Sequence, residues 1–80
     1  MTHSIMRLPA IKASTGLSRS TIYLRIEQRM FTRPVSLGGR AVGWPENEVA
    51  LLNAARIAGK SNAEIRDLVT ELEAARKSAL

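Results

Sequence analysis

The sequence predicts a small, mainly α-helical domain that carries one short β-hairpin. Its 80 residues are the size of one domain. Segments with helical apolar spacing lie on both sides of a β-prone stretch, and a Gly-Gly pair divides that stretch in two. The absence of cysteine excludes disulfides and thiolate zinc sites. We expect residues 1–6 to be a flexible terminus, with the folded part starting at residue 7.

The first two predicted helices are joined by a very short link. Pro9 opens a helix over about 9–15, and Gly16 supplies the left-handed residue that ends it. Ser18 is a favourable N-cap for a second helix over 19–29. A short helix, a glycine-containing link and a longer helix are typical of a helix-turn-helix.

A β-hairpin is predicted directly after these helices. Two β-prone runs, 35–37 and 40–44, are separated by Gly38 and Gly39, and tight hairpin turns need positive φ angles. A hairpin that follows a helix-turn-helix forms a wing. The predicted fold class is therefore mainly α: a winged helix-turn-helix with a short two-stranded β-hairpin wing and additional C-terminal helices. Trp44 is expected in the core.

Two further helices are predicted over about 46–58 and 62–77, and a Ser-x-x-Glu capping box opens the second. Ile57 is expected on the apolar side of the helix over 46–58. The last helix has a one-sided apolar stripe, so it either packs on its own domain or self-associates. We therefore expect a winged helix-turn-helix domain over 7–58 and a C-terminal helix of either role in 59–80.

Positive charge is concentrated in the first half of the chain. Residues 1–44 contain seven Lys or Arg against one acid, whereas residues 45–80 contain five bases against six acids. Six of the seven early bases are Arg, whose planar fork suits phosphates and guanine edges. A clustered positive half favours polyanion binding over a purely solubilising role.

The second helix carries the candidate base-reading side chains. Ile22 and Ile26 lie four residues apart and must face the core. Arg19, Ser20 and Tyr23 then project from the other side, near the end that enters the major groove in helix-turn-helix proteins. Arg19 can donate two hydrogen bonds to guanine, and Tyr23 can contact a thymine methyl or a phosphate. Ser20 can bond a base edge or a phosphate.

Four more residues are candidate phosphate or groove contacts. Ser18 caps the helix, and the free N–H groups beside it can bind an anion. Thr21 either reaches a phosphate or packs on the first helix. Arg33 lies at the hairpin base, where a phosphate contact is expected. Arg40 follows the hairpin tip and is expected to enter the minor groove or rest on phosphate.

Several of these residues together resemble a known family. The strings TGLSRSTIY (15–23) and LGGRAVGW (37–44), together with Leu8-Pro9, Phe31, Pro34-Val35 and Glu48-Val49, closely resemble the AlpA family of prophage regulators. That family is similar to phage excisionases and to the MerR-type winged helix. The resemblance covers about residues 7–57 and leaves the last helix outside.

The resemblance implies recognition-helix positions at Arg19, Ser20 and Tyr23. It places the wing on residues 38–41, where Gly39 precedes the DNA-facing Arg40. The chain departs from the family pattern at three places, which are Ala10 for a frequent Glu, Thr32 for the usual Pro, and Leu24-Arg25 for Arg-Leu. The last exchange puts a leucine toward the DNA side.

The implied function is sequence-specific binding of double-stranded DNA by a phage- or island-encoded regulator. Such a protein activates integrase expression or acts as an excisionase that favours excision. The expected partners are DNA, a second copy or a multimer on repeated sites, and an integrase. The alternative is a protein-interaction module whose C-terminal helix docks on an integrase or a second subunit. RNA binding is disfavoured because few aromatic side chains are expected at the surface.

Nothing in the sequence predicts catalysis. One histidine, His3, lies in the expected flexible terminus, and one aspartate, Asp67, lies on the last helix. We therefore expect no enzymatic activity, no cofactor and no metal. No apolar run approaches the roughly 18 residues of a membrane span. Because the start of the chain lacks signal-peptide features, a cytoplasmic, nucleoid-associated protein is expected.

Overall fold

Four α-helices and a three-stranded sheet make up residues 4–78, the part of the chain that the computed structural model describes. In chain order the elements are β1 (Ile5–Met6), α1 (Leu8–Thr15), α2 (Arg19–Glu27), β2 (Val35–Gly38), β3 (Ala41–Pro45), α3 (Glu46–Ile57), α4 (Asn62–Ala75) and a 3₁₀ turn (Arg76–Ser78). The predicted mainly α class, with a hairpin after two helices and further C-terminal helices, is confirmed. The expectation for His3 lies outside the described residues.

The predicted helix caps form as expected. Gly16 ends α1 with a φ of 72°, and the Ser18 hydroxyl accepts the Thr21 N–H at 3.3 Å at the start of α2. Ser61 and Glu64 form the reciprocal capping box of α4. The Ser61 N–H donates to the Glu64 carboxylate and is the main cause of a lowered pKa at Glu64.

The end of α2 differs from the prediction. The helix stops at Glu27, because Arg29 takes a left-handed φ of 60° and the N–H groups of Arg29 and Met30 close a Schellman motif. Glycine usually occupies this position, so the sequence carried no stop signal. Contacts with α4 fix the arginine instead: its guanidinium donates to Thr70 Oγ1 at 3.3 Å and lies 3.9 Å from Glu73 Oε1.

The sheet contains one strand more than predicted. β1 pairs antiparallel with β3, Ile5 opposite Pro45 and Met6 opposite Trp44, so the strand order is β1-β3-β2. The expectation of a flexible terminus over 1–6 is therefore wrong at residues 5 and 6, and the two-stranded wing gains a third strand. A two-residue strand has no detectable periodicity, and its partner lies far along the chain.

β2 and β3 form the predicted hairpin, but its turn is Gly39 and Arg40 rather than the expected Gly38 and Gly39, because Gly38 still pairs with Ala41. Gly39 has a φ of 56° and Arg40 does not share this positive φ, which is the pattern of a type II′ turn. The register shifts between Ser36 and Gly38, so the hairpin contains an irregularity just before its tip. The tip therefore depends on a glycine at its first central position.

All four helices and β3 contribute to one core. Its buried apolar residues are Ile11, Ile22, Phe31, Trp44, Val49, Leu52, Ala55, Ile65, Val69 and Leu72. Trp44 is a core residue, as predicted, whereas Ile57 lies on the outer side of α3 and is 88% exposed. Three of the core residues belong to α4, so residues 7–58 share their core with this helix.

A buried ion pair joins α3 to the turn after α4. Glu48 is 2% exposed and accepts two hydrogen bonds from the Arg76 guanidinium, at 2.7 and 2.8 Å. These bonds raise the pKa of Arg76. The same guanidinium donates to the Arg33 carbonyl at 2.6 Å, and Glu73 Oε2 accepts the Arg33 N–H at 2.9 Å. The C-terminal segment thus fixes the backbone at the base of the hairpin.

We expect Gly43→Ala to destabilise the domain, because residue 43 lies where β1 packs beside β3. A Cβ at residue 43 would overlap Ile5 Cγ2 and lie 3.0 Å from the Met6 carbonyl oxygen. Overpacking of this kind costs about 1–3 kcal/mol, which urea denaturation followed by circular dichroism would measure. Adding Ile5→Ala relieves the side-chain overlap, so the double variant should lose less stability than the sum of the single losses. Strict additivity would contradict this close packing.

We expect Glu48→Gln to be far more destabilising than Glu46→Gln, although both lie in the first turn of α3. The first change leaves the Arg76 guanidinium without its buried counter-ion, at a cost of about 3–5 kcal/mol. The second removes an exposed carboxylate at a helix N-terminus, worth about 0.3–1 kcal/mol. Thermal melts of both variants measure the difference, and equal losses would rule out a structural role for the ion pair.

Candidate nucleic-acid interface

The exposed side of α2 carries the three side chains predicted to read bases. Ile22 on the adjacent face of the helix is fully buried, so α2 cannot rotate without exposing it. Arg19 and Ser20 are exposed in the first turn, and Tyr23 is 37% exposed one turn further on. The three side chains therefore share the accessible side of α2 near its N-terminus.

Tyr23 connects this side of α2 to the sheet. Its ring meets the Trp44 ring edge-on, with 6.4 Å between centroids and 66° between planes. On its outer side, the Arg19 guanidinium carbon lies 5.7 Å from the tyrosine centroid, within cation–π range. Arg19, Tyr23 and Trp44 form a row from the surface to the core. No local sequence pattern links α2 to β3, so this row is not predictable from the sequence.

The hydroxyl groups at the start of α2 bond to one another. Ser18 Oγ lies 2.9 Å from Thr21 Oγ1 and 3.3 Å from Ser20 Oγ. The Ser18 side chain thus acts as the cap. Its neighbour Ser20 is exposed at the surface, and Thr21 is half-buried. The first N–H groups of any helix lack intrahelical acceptors. This end of α2 therefore combines free N–H donors with hydroxyl groups, as an anion site requires.

The hairpin presents the other predicted cations. Gly39 and Arg40 are exposed at its turn. Arg40 lies four residues before Trp44 on β3, or about 13 Å along an extended strand. At the hairpin base, the Arg33 side chain is exposed while both polar groups of its backbone are bound by α4 and the turn after it. Arg33 thus extends from backbone that α4 and the turn after it hold, whereas Arg40 extends from the exposed hairpin turn.

Within residues 4–78, most cations of the first half have no intramolecular counter-ion. In residues 4–78 the ion pairs are Arg29–Glu73, Lys60–Glu64 and Arg76–Glu48. Six of the seven early bases therefore have no carboxylate within 4.0 Å in this part of the chain: Arg7, Lys12, Arg19, Arg25, Arg33 and Arg40. Three of the six acids in the second half are paired, so the uncompensated positive charge remains on the first half.

The unusual Leu24-Arg25 pair is split between two sides of α2. Leu24 is 51% exposed beside Tyr23, and Glu27 is exposed one turn further on. Arg25 lies two residues after Tyr23 and therefore points about 200° away from it. Its side chain is half-buried. The outward leucine agrees with the expectation drawn from the sequence.

Two other site classes find no support in the described residues. Between residues 4 and 78, no three His, Cys, Asp or Glu side chains come together in a way that could hold a metal ion. Over the same range, none of the helices combines the length and the apolarity of a bilayer-spanning segment.

Comparison with known proteins identifies a family. The family model of the prophage CP4-57 regulatory protein (AlpA) matches residues 4–51, which is more than half of the chain. A protein of Enterobacteria phage P4, the uncharacterized protein ORF88, is 47% identical over 55 residues, which are 69% of this chain and 62% of that protein. The chain thus spans less than two thirds of this relative's length. No solved structure matches significantly. The chain belongs to the AlpA family of prophage regulatory proteins.

Proposed function

We propose that this chain binds double-stranded DNA sequence-specifically, with the exposed side of α2 in the major groove and the β2–β3 hairpin on the adjacent minor groove. The row formed by Arg19, Tyr23 and Trp44 carries the proposal. It couples a guanine-reading side chain to the strand that supports the hairpin. The two DNA-contacting elements then approach the duplex as one rigid body.

Each predicted contact has a defined role in this proposal. Arg19 reads a guanine from above the Tyr23 ring, and Ser20 and Tyr23 contact neighbouring bases or phosphates. Ser18 and Thr21 organise the helix N-terminus, whose free N–H groups hold a phosphate. At the hairpin, Gly39 allows the tip to turn, Arg40 enters the minor groove and Arg33 contacts the backbone.

We propose further that DNA binding serves integrase expression or excision of an integrated element. Membership of a prophage regulatory family supports a role of this kind. A winged helix buries only about 600–1,000 Å² on DNA, so genomic selectivity requires several copies on repeated sites. Such a protein would act in the cytoplasm on nucleoid DNA, and an integrase is the expected second partner. Protection of DNA beside an integrase gene would identify the target.

The alternatives have less support. A docking helix that uses the apolar stripe of α4 would need that stripe to be accessible, whereas Ile65, Val69 and Leu72 are buried in the domain. Single-stranded RNA recognition relies on exposed aromatic rings, but Phe31 and Trp44 are buried and Tyr23 is only partly exposed. Catalysis is not proposed, because no described group of side chains suggests it.

Binding should weaken steeply with salt. If about four to six phosphates are neutralised, log K should fall with log [salt] with a slope near −4 to −5. Fluorescence anisotropy with a labelled duplex between about 50 and 200 mM salt measures the slope. A flat response would remove DNA binding as the function.

Two arginine variants should separate base reading from phosphate binding. Arg19→Ala should cost roughly 1–3 kcal/mol on the selected site and reduce the preference over random duplex, because a bidentate contact to guanine is lost. Arg40→Ala should weaken all duplexes evenly and lower the salt slope by about 1. Lys60→Ala, which removes one charge at the turn between α3 and α4, is the control and should leave single-site binding nearly unchanged. Equal losses on specific and random DNA in Arg19→Ala would contradict base reading.

A further inference from the structure

A cleft of about 210 Å³ opens between α1, α2 and α3, on the flank of α2 that carries Arg25 rather than Tyr23. We call it the basic cleft. Its apolar part is lined by Leu17, Met30 and Leu52, and its rim carries Arg25 and Arg56. An apolar lining with two guanidinium groups suits an acidic side chain that has an apolar neighbour.

The two arginines of the basic cleft lack a partner of opposite charge. No carboxylate within residues 4–78 lies within ion-pair distance of Arg25 or Arg56. The Arg56 guanidinium donates a weak hydrogen bond to Met30 Sδ at 3.9 Å. Partial burial, and secondly the charge of Arg25, lower the pKa of Arg56. The two cations therefore repel each other across a partly shielded cleft, and an anion between them would relieve that repulsion.

A second surface on the same chain has the opposite charge. The acidic groove, as we call it, lies between α3 and α4 and is lined by Lys60, Glu64, Asp67, Leu68 and Glu71. Glu64 is engaged by Ser61 and Lys60, but in the described part of the chain no cation pairs with Asp67 or Glu71. These two carboxylates are four residues apart on one helix face, where like charges destabilise a helix. Half-buried Leu68 lies beside them.

The basic cleft and the acidic groove face different directions. Arg56 lines the cleft and Ala55 lines the groove, and these adjacent residues of α3 point about 100° apart. Arg25 is likewise on the flank of α2 opposite Tyr23. Both surfaces are therefore accessible when Tyr23 and Arg40 contact DNA, and one molecule cannot close them on each other.

We propose that the acidic groove of one copy binds the basic cleft of a second copy, so that neighbouring copies associate head to tail. Asp67 and Glu71 lie against Arg25 and Arg56, and the exposed part of Leu68, which otherwise packs on its own core, contacts the apolar lining. The contact is heterologous, because it joins two different surfaces, and each further copy adds by the same contact. The inference rests on the proposed function, since adjacent DNA sites bring the copies together.

The small area of the contact determines the concentration at which two copies associate. Two surfaces of about six residues each bury less than the roughly 1,000 Å² that a stable complex needs. The chain is therefore a monomer at micromolar concentration and associates on DNA, where neighbouring sites raise the effective concentration to about millimolar. The molecule measures 34 × 28 × 21 Å. This matches sites about 10 bp apart, one helical turn of about 34 Å.

The contact itself is tested without DNA. The cleft variant, Arg25→Gln with Arg56→Gln, keeps an intact groove, and the groove variant, Asp67→Asn with Glu71→Gln, keeps an intact cleft. When ¹⁵N-labelled groove variant is titrated with unlabelled cleft variant to about 1 mM, the amide resonances of Arg25, Met30 and Arg56 should shift saturably. As the control, labelled cleft variant is titrated with unlabelled cleft variant to the same concentration. Its amide resonances should not shift, because neither copy has an intact cleft. No shift in the mixture would overturn the proposal.

The consequence on DNA is tested with duplexes that carry one or two copies of the site that the wild-type chain selects from a random-sequence library. With centres about 10 bp apart, wild-type chain should bind the second site at least tenfold more tightly than an isolated site, and about 15 bp should abolish this gain. Each variant should lose the gain when compared with its own binding to an isolated site, and an equimolar mixture should regain part of it, because one of the four ordered pairs on two sites joins an intact groove to an intact cleft. Glu46→Gln, outside both surfaces, should behave as wild type.

The outcomes separate the two proposals. Salt-dependent single-site binding without cooperativity in wild-type chain, or cooperativity retained by both variants, would overturn head-to-tail association and leave the proposed function standing. Loss of all DNA binding would overturn the proposed function, while the DNA-free titration would still decide whether the two surfaces meet. Circular dichroism establishes that both variants are folded.

Discussion

The indole of Trp44 is the contact on which the candidate interface depends. Its N–H donates to the Thr32 carbonyl at 2.9 Å, and its ring lies edge-on against both Phe31 and Tyr23. One fully buried side chain thus joins β3, the loop before the hairpin and α2. The hydrogen bond also satisfies the indole in the core, whereas the Thr32 hydroxyl is buried without a partner.

The last helix completes the part of the chain that the family model matches. That match ends at residue 51, within α3, yet Ile65, Val69 and Leu72 fill the same core. α4 also binds the carbonyl of Gln28 through Arg66 Nε at 3.0 Å. Its inner side therefore supports both the end of α2 and the base of the hairpin. Its outer side, with Asp67 and Glu71, is not constrained by the core and is available to a partner.

Ion pairs within the chain determine which part of its surface carries the net charge of +5. Three acids of the second half neutralise cations of the chain itself, and Glu73 takes the early base Arg29. Arg29 is also a non-glycine residue with positive φ, so its ion pair and its bond to Thr70 hold a conformation that most side chains avoid. The remaining early bases have no carboxylate partner in the described part of the chain, and a positive field persists around α2 and the hairpin.

The sequence by itself determined the features that depend on near neighbours. The left-handed Gly16, the Ser18 cap, the Ser61–Glu64 box and the turn at Gly39 are all local, and each is present in the structure. The burial of Ile22 and the exposure of Tyr23 beside it also followed from the spacing of Ile22 and Ile26, because burial of one helix face leaves the remaining faces to solvent.

Only the tertiary structure decided the features that join distant segments. The strand at residues 5 and 6 exists because β3 offers it an edge, and α2 stops early because α4 holds Arg29. The outward position of Ile57 and the contact between Tyr23 and Trp44 depend on how the helices and the sheet pack. Such pairings bring together residues without any shared local pattern, and packing energy rather than propensity selects them.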